Sequence, residues 1–289
     1  MEVFFEGNRA IVSGEPISPQ LVFDCGQAFR FRRHGAAMQG VAYSRLLSAE
    51  ETSRGLELFP VTREDFESIW RRYFDLDLSY GEIASLFAKD PVLRRAIPLC
   101  RGMRVLNQEP FETLLSFLIS QNNNIPRIRG IIEKICAEQG EEIAPRIFAF
   151  PTPEQLARVS PERFRQLGAG YRADYLAEAS RAVAEGRFDL SRPFGLDYAQ
   201  AKAYLMTLKG VGPKVADCVL LFAYGKRDAF PKDVWIKRVL KQLYGFTPRN
   251  DEDFLRFSQE HFGSYGGIAQ QYLFHYARQC KLENQAKVL

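Results

Sequence analysis

Two residues of the kind that do covalent chemistry on carbon, Lys214 and Asp233, lie nineteen positions apart in one basic stretch of the chain. Lys214 falls in the first turn of an apolar helical pattern, where the positive end of the helix dipole disfavours an ammonium and favours the neutral amine that attacks carbon. Asp233 follows Pro231 and precedes an apolar-periodic run, which is typical of a helix N-cap. The spacing therefore predicts an amine nucleophile and a carboxylate at two helix starts, a candidate catalytic pair.

Both residues belong to the segment 208–233, LKGVGPKVADCVLLFAYGKRDAFPKD, in which two helical patterns meet at Gly210-Val211-Gly212. Glycines tolerate positive φ and let another backbone approach closely, and the amides that open the second helix are suited to hold a phosphate. The pattern predicts a helix-hairpin-helix, although GVG alone fits a plain helix–helix turn equally well. A nucleotide-binding phosphate loop is excluded, because four residues must separate its glycines and Ser or Thr must follow its lysine.

The segment LKGVGPKVAD followed by PKDV resembles the helix-hairpin-helix, Gly/Pro-rich loop and aspartate signature of the DNA glycosylase superfamily that includes endonuclease III. Within that superfamily the chain resembles the 8-oxoguanine DNA glycosylase/lyase branch, which has lysine where Lys214 stands. Members that only hydrolyse the glycosidic bond have another residue there. Further matching segments follow the family's order over nearly the whole chain: GQAFRFR (26–32), SFLISQNNNIPRI (116–128), GYRADY (170–175) and AQQYLF (269–274).

The resemblance implies a bifunctional repair enzyme that extrudes and excises 8-oxoguanine paired with cytosine in double-stranded DNA. Lys214 would attack the deoxyribose C1′ and form a Schiff base, and β-elimination would then cleave the abasic strand. Asp233 would stabilise positive charge that develops on the sugar. Both members of the candidate pair thus receive a role from the resemblance.

The base pocket that the resemblance implies consists of Gly26, Cys218, Gln270 and Phe274. The carbonyl of Gly26 would accept the N7 hydrogen that oxidised guanine has and guanine lacks. Gln270 would bind the Watson–Crick edge, and Phe274 and Cys218 would flank the ring. Locally, Gln270 and Phe274 lie at i and i+4 on one helix face, which is equally typical of an aromatic face packed inward.

On the opposite strand, the resemblance places Asn122 in the gap left by the flipped base and Tyr171 as a wedge beside the estranged cytosine. It assigns hydrogen bonds to that cytosine to Arg127 and Arg172, whose guanidinium donors suit the acceptors of the base. On local pattern alone, residues 122–124 fit a helix C-terminus and loop, and Tyr171 and Arg172 fit a helix surface.

The resemblance also assigns a clamp on a backbone phosphate to Gly210, Val211 and Gly212, and it allows a monovalent or other cation on the hairpin carbonyls. Trp235 stands where many eukaryotic relatives have a phosphate-contacting histidine, which leaves that contact open and indicates a prokaryotic-type member. Pro126, directly before Arg127, bears on how that arginine is presented.

Charge and cysteine content agree with a nucleic-acid partner and bring no sign of a metal. Residues 201–250 hold ten Lys/Arg against three Asp/Glu, a local +7 in a chain of net charge +4; this fits a polyanion or, without the motif, a solvated surface. Five scattered cysteines include no CxxC pair, so zinc and structural disulfides are not expected. The iron–sulfur loop of endonuclease III needs four cysteines near the C-terminal side, and only Cys280 follows Cys218. No redox cofactor, catalytic metal or iron–sulfur cluster is therefore expected.

No apolar run reaches transmembrane length, and the N-terminus has no basic region followed by an apolar core. We therefore expect a cytoplasmic protein, associated with the nucleoid in a prokaryote, and the resemblance implies a monomer.

The elements that must position these residues indicate an α+β fold. To about Pro60 the pattern is strand-like and predicts an antiparallel sheet, with strands in QLVFDCGQAFRFRR (20–33), GVAYSRLL (40–47) and GLELF (55–59). Helical signals follow to the end, including N-caps at Thr62 and Ser79 and a helix over 108–121 that begins at Pro110. We expect an N-terminal domain of sheet plus helices at 1–107 and a helical glycosylase core at 108–289, with the hairpin at about 200–223.

Two other classes of function stay open on the residues alone. A glycosylase that hydrolyses alkylated bases would keep Asp233 but has no use for a lysine at position 214. A non-catalytic helix-hairpin-helix DNA-binding module would explain the hairpin and the basic segment, but not the pairing of Lys214 with Asp233.

Overall fold

The protein, seen as a computed structural model, is described over residues 1–232 and 234–280, apart from the side chains of Val234 and Asp251. The strands are β1 Glu2–Glu6, β2 Arg9–Ser13, β3 Arg32–His34, β4 Ala37–Ala42, β5 Arg45–Thr52, β6 Gly55–Phe59, β7 Glu142–Ala144 and β8 Ile147–Phe148. The first six form one sheet in the order β1-β2-β6-β5-β4-β3, and every neighbouring pair is antiparallel. Strands β7 and β8 form a separate small hairpin.

Some helices pack against the sheet, and the others form a second core among themselves. The helices are α1 Pro19–Asp24, α2 Arg63–Asp65, α3 Arg71–Tyr73, α4 Tyr80–Phe87, α5 Pro91–Ala96, α6 Pro110–Ser120, α7 Ile125–Gln139, α8 Pro153–Ala157, α9 Pro161–Gln166, α10 Ala173–Ala184, α11 Tyr198–Leu205, α12 Pro213–Tyr224, α13 Val234–Tyr244, α14 Asp251–Phe262 and α15 Gly266–Gln279. In the described part of the chain, none of them is long and apolar enough to cross a bilayer.

The predicted antiparallel sheet is present, but the strand predicted over 20–33 is wrong for its first half. Pro19–Asp24 is helical, and only Arg32–His34 reaches the sheet, as its edge strand. Pro19 occupies the first turn of α1, where its fixed φ suits a helix, and Val22 and Phe23 are buried in the core of the sheet. Periodicity cannot distinguish a helix from a strand in so short an apolar run.

The segment 40–47, predicted as one strand, is the turn of a hairpin. Ala42 pairs with Arg45, so Tyr43 and Ser44 form a two-residue turn between β4 and β5, with φ of 50° and 57°. Such turns favour Asn, Asp and Gly. The tyrosine and serine therefore give no turn signal in the sequence, whereas the strand predicted at 55–59 is confirmed as β6.

The predicted helix starts are confirmed by their capping bonds. Oγ1 of Thr62 accepts from the amide of Asp65 at 3.0 Å, and Oγ of Ser79 accepts from the amide of Glu82 at 3.2 Å. Helix α6 begins at Pro110, as predicted, and its apolar side chains are buried. These local signals suffice because a cap satisfies backbone donors within one turn.

The molecule has one hydrophobic core under the sheet and one among the helices, and a buried glutamine ties the segment before β3 to the segment that leads into α6. Nε2 of Gln27 donates to the carbonyl oxygens of Val22 and Arg104, both at 2.8 Å, and Oε1 accepts from the amide of Leu106 at 2.9 Å. Gln27 is 1% exposed, and a buried amide with such partners fixes the backbone around it. The neighbouring Gly26 is thereby held in place.

A partly buried ion pair links the same two regions. Nη1 of Arg30 lies 3.6 Å from Oε2 of Glu112, and their side chains are 9% and 17% exposed. Burial raises the pKa of Glu112 to about 7, against the opposing effect of Arg30. The carboxyl group therefore titrates far above its ordinary value of 4.5.

We expect the pH dependence of unfolding to report Glu112. The folded protein binds the proton of the Glu112 carboxyl group more tightly than the unfolded chain does. The stabilisation of the fold that this proton gives is therefore fully present below about pH 4.5 and is lost as the pH rises through about 7. Between those limits wild type should lose about 3 kcal/mol of unfolding free energy relative to Glu112→Gln. Urea denaturation at a series of pH values measures both curves, and parallel curves would contradict the prediction.

Candidate active site

A cavity of about 720 Å³ lies where the Gly26 loop, α6, the start of α7, α12, α13 and α15 meet. Five of the residues predicted for the site line it together, although they are far apart in the sequence: Gly26, Lys214, Cys218, Gln270 and Phe274. The cavity thus joins the predicted nucleophile to all four residues of the predicted base pocket.

Helix α12 supplies one wall of the cavity. Lys214 lies in its first turn, as predicted, and is followed by Cys218 and Phe222 at intervals of four residues, which places the three on one face. Lys214 is partly exposed whereas Cys218 and Phe222 are buried. Lys214 therefore forms the more exposed end of this wall, and Cys218 and Phe222 form its buried end.

Helix α12 is held from behind by a buried ion pair. Oδ1 of Asp217 lies 2.7 Å from Nζ of Lys202 and accepts from the hydroxyl of Tyr198 at 2.7 Å. Asp217 is fully buried, and burial raises the pKa of its carboxyl group. Helix α11 thereby fixes the rotation of α12, and with it the direction of Lys214.

Helix α15 supplies the facing wall, through Gln270, Phe274 and Arg278. Gln270 is 4% exposed and its Oε1 accepts from Nε2 of Gln271 at 2.7 Å. The guanidinium of Arg278 lies 5.7 Å from the ring centroid of Phe274. Sequence reasoning missed Arg278, although its position four residues after Phe274 places it on the same helix face.

Three aromatic side chains whose rings contact one another form the floor of the cavity. The rings of Phe29 and Phe117 meet edge to face at 5.7 Å, and those of Phe117 and Phe222 stack at 5.4 Å. All three line the cavity. A planar, mostly apolar ligand with polar edges fits such a floor.

The hairpin between α11 and α12 has the predicted position, but its two glycines differ. Gly210 has a φ of +90°, and a Cβ there would lie 2.4 Å from Cγ of Tyr175. Gly212 is the N-cap of α12 with a φ of −90° and open space around it. Only Gly210 therefore needs the conformational freedom of glycine, whereas Gly212 leaves the start of α12 without a capping side chain.

The three consecutive asparagines serve different purposes. Asn122 is exposed, with a φ of 44° in the turn after α6. Oδ1 of Asn123 accepts from the amide of Asn124, and Oδ1 of Asn124 caps α7 by accepting from the amide of Arg127 at 3.0 Å. The side chain of Arg127 is exposed. The triplet is thus a tight link between two helices that presents Asn122 outward.

A buried arginine holds this link. Nη2 of Arg172 donates to the carbonyl oxygens of Gln121 and Asn122, Nε donates to Gln121 at 2.8 Å, and Nη1 donates to Ala169 at 3.2 Å. Its guanidinium also lies 4.4 Å from the ring centroid of Tyr171, which is 53% exposed. Without DNA, Arg172 therefore supports the backbone of the turn, and its contact with a cytosine stays a prediction.

We expect Arg172→Met to loosen this turn. The substitution removes the guanidinium donors from three backbone carbonyl groups, those of Gln121, Asn122 and Ala169. This should lower the unfolding free energy by about 2–4 kcal/mol. Denaturant titration measures the loss, and Arg172→Lys, which keeps the charge but not the planar fork, should recover less than half of it. A methionine variant as stable as wild type would show that the turn needs no such support.

The wedge region and the hairpin are in contact. Nε2 of Gln121 donates to the carbonyl oxygen of Gly210 at 3.2 Å, and the rings of Tyr171 and Tyr175 meet edge to face. The residues predicted for the phosphate clamp and for the opposite strand therefore form one continuous surface beside the cavity. The predicted catalytic carboxylate, Asp233, lies outside the described residues.

Comparison with known families decides the assignment. Residues 10–114 match the N-terminal domain of 8-oxoguanine DNA glycosylase, and residues 115–262 match the HhH-GPD superfamily of base excision DNA repair proteins. The chain belongs to the 8-oxoguanine DNA glycosylase family. The resemblance and the α+β fold class predicted from the sequence are thereby confirmed, and the protein is a DNA-binding repair enzyme of the N-glycosylase/DNA lyase class. The domain boundary at 107/108 stays a prediction.

The chain is similar to family members known from their sequence and to others of known structure. A probable N-glycosylase/DNA lyase of Methanothermobacter thermautotrophicus is 34% identical over 76% of each chain. MBOgg1, in complex with a low-affinity DNA ligand, is 37% identical with a TM-score of 0.93, over 97% of this chain and 99% of that one. The Clostridium acetobutylicum 8-oxoguanine glycosylase/lyase, in complex with DNA containing cytosine opposite 8-oxoguanine, is 35% identical with a TM-score of 0.91, over 97% and 99%.

Proposed function

We propose that the protein excises 8-oxoguanine paired with cytosine from double-stranded DNA and then cleaves the abasic strand, through a Schiff base on Lys214. The observation that carries this proposal is the single cavity that Lys214 shares with Gly26, Gln270 and Phe274. Membership of the 8-oxoguanine DNA glycosylase family supports 8-oxoguanine as the lesion. The complex of the Clostridium acetobutylicum relative with double-stranded DNA that contains cytosine opposite 8-oxoguanine supports cytosine as the opposite base.

The cavity receives the base after it leaves the stack. Extrusion costs a few kcal/mol, which contacts in the cavity offset. Phe274 and Cys218 flank the ring from facing helices, and Gln270 binds its Watson–Crick edge. The carbonyl of Gly26 accepts the N7 hydrogen of the oxidised base, which guanine lacks.

The lone pair of the neutral Lys214 amine attacks C1′, and the electron pair of the C1′–N9 bond leaves with the base, which takes up a proton. The C1′–O4′ bond of the sugar ring then breaks with its electron pair going to O4′, one proton passes from the nitrogen to O4′, and the C1′–N bond becomes a protonated Schiff base. Removal of a C2′ proton then expels the 3′ phosphate by β-elimination. We assign the stabilisation of positive charge on the sugar to Asp233.

The surface beside the cavity is proposed to hold the DNA. Asn122 fills the gap left by the flipped base and Tyr171 wedges beside the unpaired cytosine. Arg127 and Arg172 donate to that cytosine; Arg127 is already exposed, whereas Arg172 must exchange its carbonyl contacts.

We propose that the hairpin clamps a phosphate of the DNA. The start of α12 has no capping side chain, and space is open beside Gly212, which suits an anion on the first helical amides. The clamp consists of Gly210, Val211 and Gly212. It is compatible with a cation on the hairpin carbonyls, and the proposed steps use no redox cofactor or iron–sulfur cluster. We further propose that the protein acts as a monomer on the nucleoid.

Borohydride trapping tests this proposal. The protein is incubated with a duplex that holds one 8-oxoguanine opposite cytosine, and borohydride reduces any Schiff base to a stable adduct. We expect a covalent protein–DNA adduct and a cleaved strand, with neither on an undamaged duplex. Release of the base without an adduct would point to a hydrolytic glycosylase, and binding without release would point to a non-catalytic DNA-binding module.

A further inference from the structure

An arginine at the cavity, Arg129 on α7, has no part in the mechanism above. It lines the cavity beside Gly26 and Ile125, and its side chain is only 15% exposed. Arginine is seldom buried to this degree unless its N–H groups have partners. We therefore expect the N–H groups of Arg129 to have hydrogen-bond acceptors.

Asp24 supplies an acceptor for one of these N–H groups. Nη2 of Arg129 lies 3.3 Å from Oδ1 of Asp24, whose side chain is 48% exposed. Nε is buried and has no hydrogen-bond partner among residues 1–232 and 234–280. Leaving a buried N–H unpaired costs free energy. The guanidinium is thus held at the cavity by Asp24 while it keeps donor capacity for a ligand.

The neighbouring backbone indicates which ligand edge fits. Gly26 follows Asp24, the last residue of α1, by two positions, and Asp24, Gly26 and Arg129 all line the cavity. The carbonyl acceptor of Gly26 and the guanidinium donor that Asp24 holds are therefore neighbours in the cavity wall. An acceptor beside a donor complements an N–H beside a carbonyl oxygen. 8-Oxoguanine presents this order along one edge, where the N7 hydrogen lies between O6 and O8. Guanine lacks that hydrogen and presents an N7 lone pair to the Gly26 carbonyl.

We propose that the guanidinium of Arg129 donates to one of the two carbonyl oxygens, O6 or O8, that flank N7 of the flipped 8-oxoguanine. Asp24 orients the guanidinium for this contact. The inference rests on the proposed function and adds to it a residue that determines which base is accepted. The plainer alternative is that the Asp24–Arg129 pair only ties α1 to α7.

Arg129→Met tests the contact, because methionine keeps an unbranched apolar stem like that of arginine and removes the guanidinium donors. Two single-turnover rates are compared, the excision of 8-oxoguanine and the β-elimination at a preformed abasic site, which has no base to read. Arg187→Met is the matched control, since it removes the same charge. Arg187 is 51% exposed and pairs with Glu178 and Glu185.

Arg129→Met should slow excision by roughly 10- to 100-fold and change β-elimination at the abasic site by less than about threefold, while Arg187→Met changes neither. A parallel fall in both rates would assign Arg129 a structural role and overturn the inference, as would unchanged excision. If wild type itself leaves 8-oxoguanine in place, the proposed function fails and this inference fails with it.

A binding measurement separates the two oxygens. Fluorescence anisotropy is recorded for Lys214→Gln with and without Arg129→Met, on duplexes that hold 8-oxoguanine or 8-oxoadenine, which keeps O8 but has an amino group in place of O6. A donor to O8 predicts a similar loss of affinity on both lesions. A donor to O6 predicts a loss on 8-oxoguanine alone, and no loss on either lesion would overturn the inference.

Discussion

Lys214→Gln should abolish the covalent adduct and slow strand cleavage by roughly 10³-fold or more, while the protein still binds duplex DNA. The amide nitrogen of glutamine is not a nucleophile, so no C1′–N bond forms. Glutamine is close to lysine in size and lies at the same partly exposed position in the first turn of α12. The fold and the wall of the cavity should therefore be unchanged.

Three measurements separate chemistry from binding in this variant. Borohydride trapping reports the Schiff base, single-turnover kinetics reports excision, and fluorescence anisotropy reports affinity for the damaged duplex. Lys209→Gln is the matched control, because it removes the same charge from the same hairpin at an exposed position, and it should retain trapping. An adduct with Lys214→Gln would assign the nucleophile to another amine and contradict the proposed mechanism.

The parts of the fold that were predictable from the sequence are those with short-range causes. The caps at Thr62 and Ser79 and the start of α6 at Pro110 satisfy backbone groups within one turn, so the residues that carry the signal lie beside the element they start. The turn at Tyr43-Ser44 was not predictable. Its positive φ values are imposed by the pairing of β4 with β5, and neither residue type favours them.

In the candidate site, too, the features with local causes were predictable and those with long-range causes were not. The spacing of Lys214 after the hairpin, and of Phe274 after Gln270, is local, and the motifs led directly to these residues. The contact between Asp24 and Arg129 spans 105 positions, and the one between Gln121 and Gly210 spans 89. No period or motif in the sequence records such pairs, because they arise only when separate helices pack together.

Gly210→Ala should be the most damaging single-methyl change in the hairpin. A Cβ at this position would lie within 2.4–2.8 Å of three ring atoms of Tyr175, and the φ of +90° is strained for any residue with a Cβ. We expect the unfolding free energy to fall by about 2–4 kcal/mol. Because the carbonyl of Gly210 accepts from Gln121, the shift should also reach the turn that presents Asn122, and affinity for duplex DNA should fall with it.

Gly212→Ala adds the same methyl group two residues away and isolates the cause. Gly212 has a φ of −90° and nothing within 4 Å of the position of its Cβ, so its unfolding free energy should stay within about 1 kcal/mol of wild type. Gly210→Ala combined with Tyr175→Ala should recover the part of the loss that the ring causes, when the comparison is made against Tyr175→Ala alone. The part caused by the φ value should persist, since no change at Tyr175 alters the backbone of the hairpin. If Gly210→Ala were as stable as Gly212→Ala, the close packing of the hairpin on Tyr175 would not be what fixes its position.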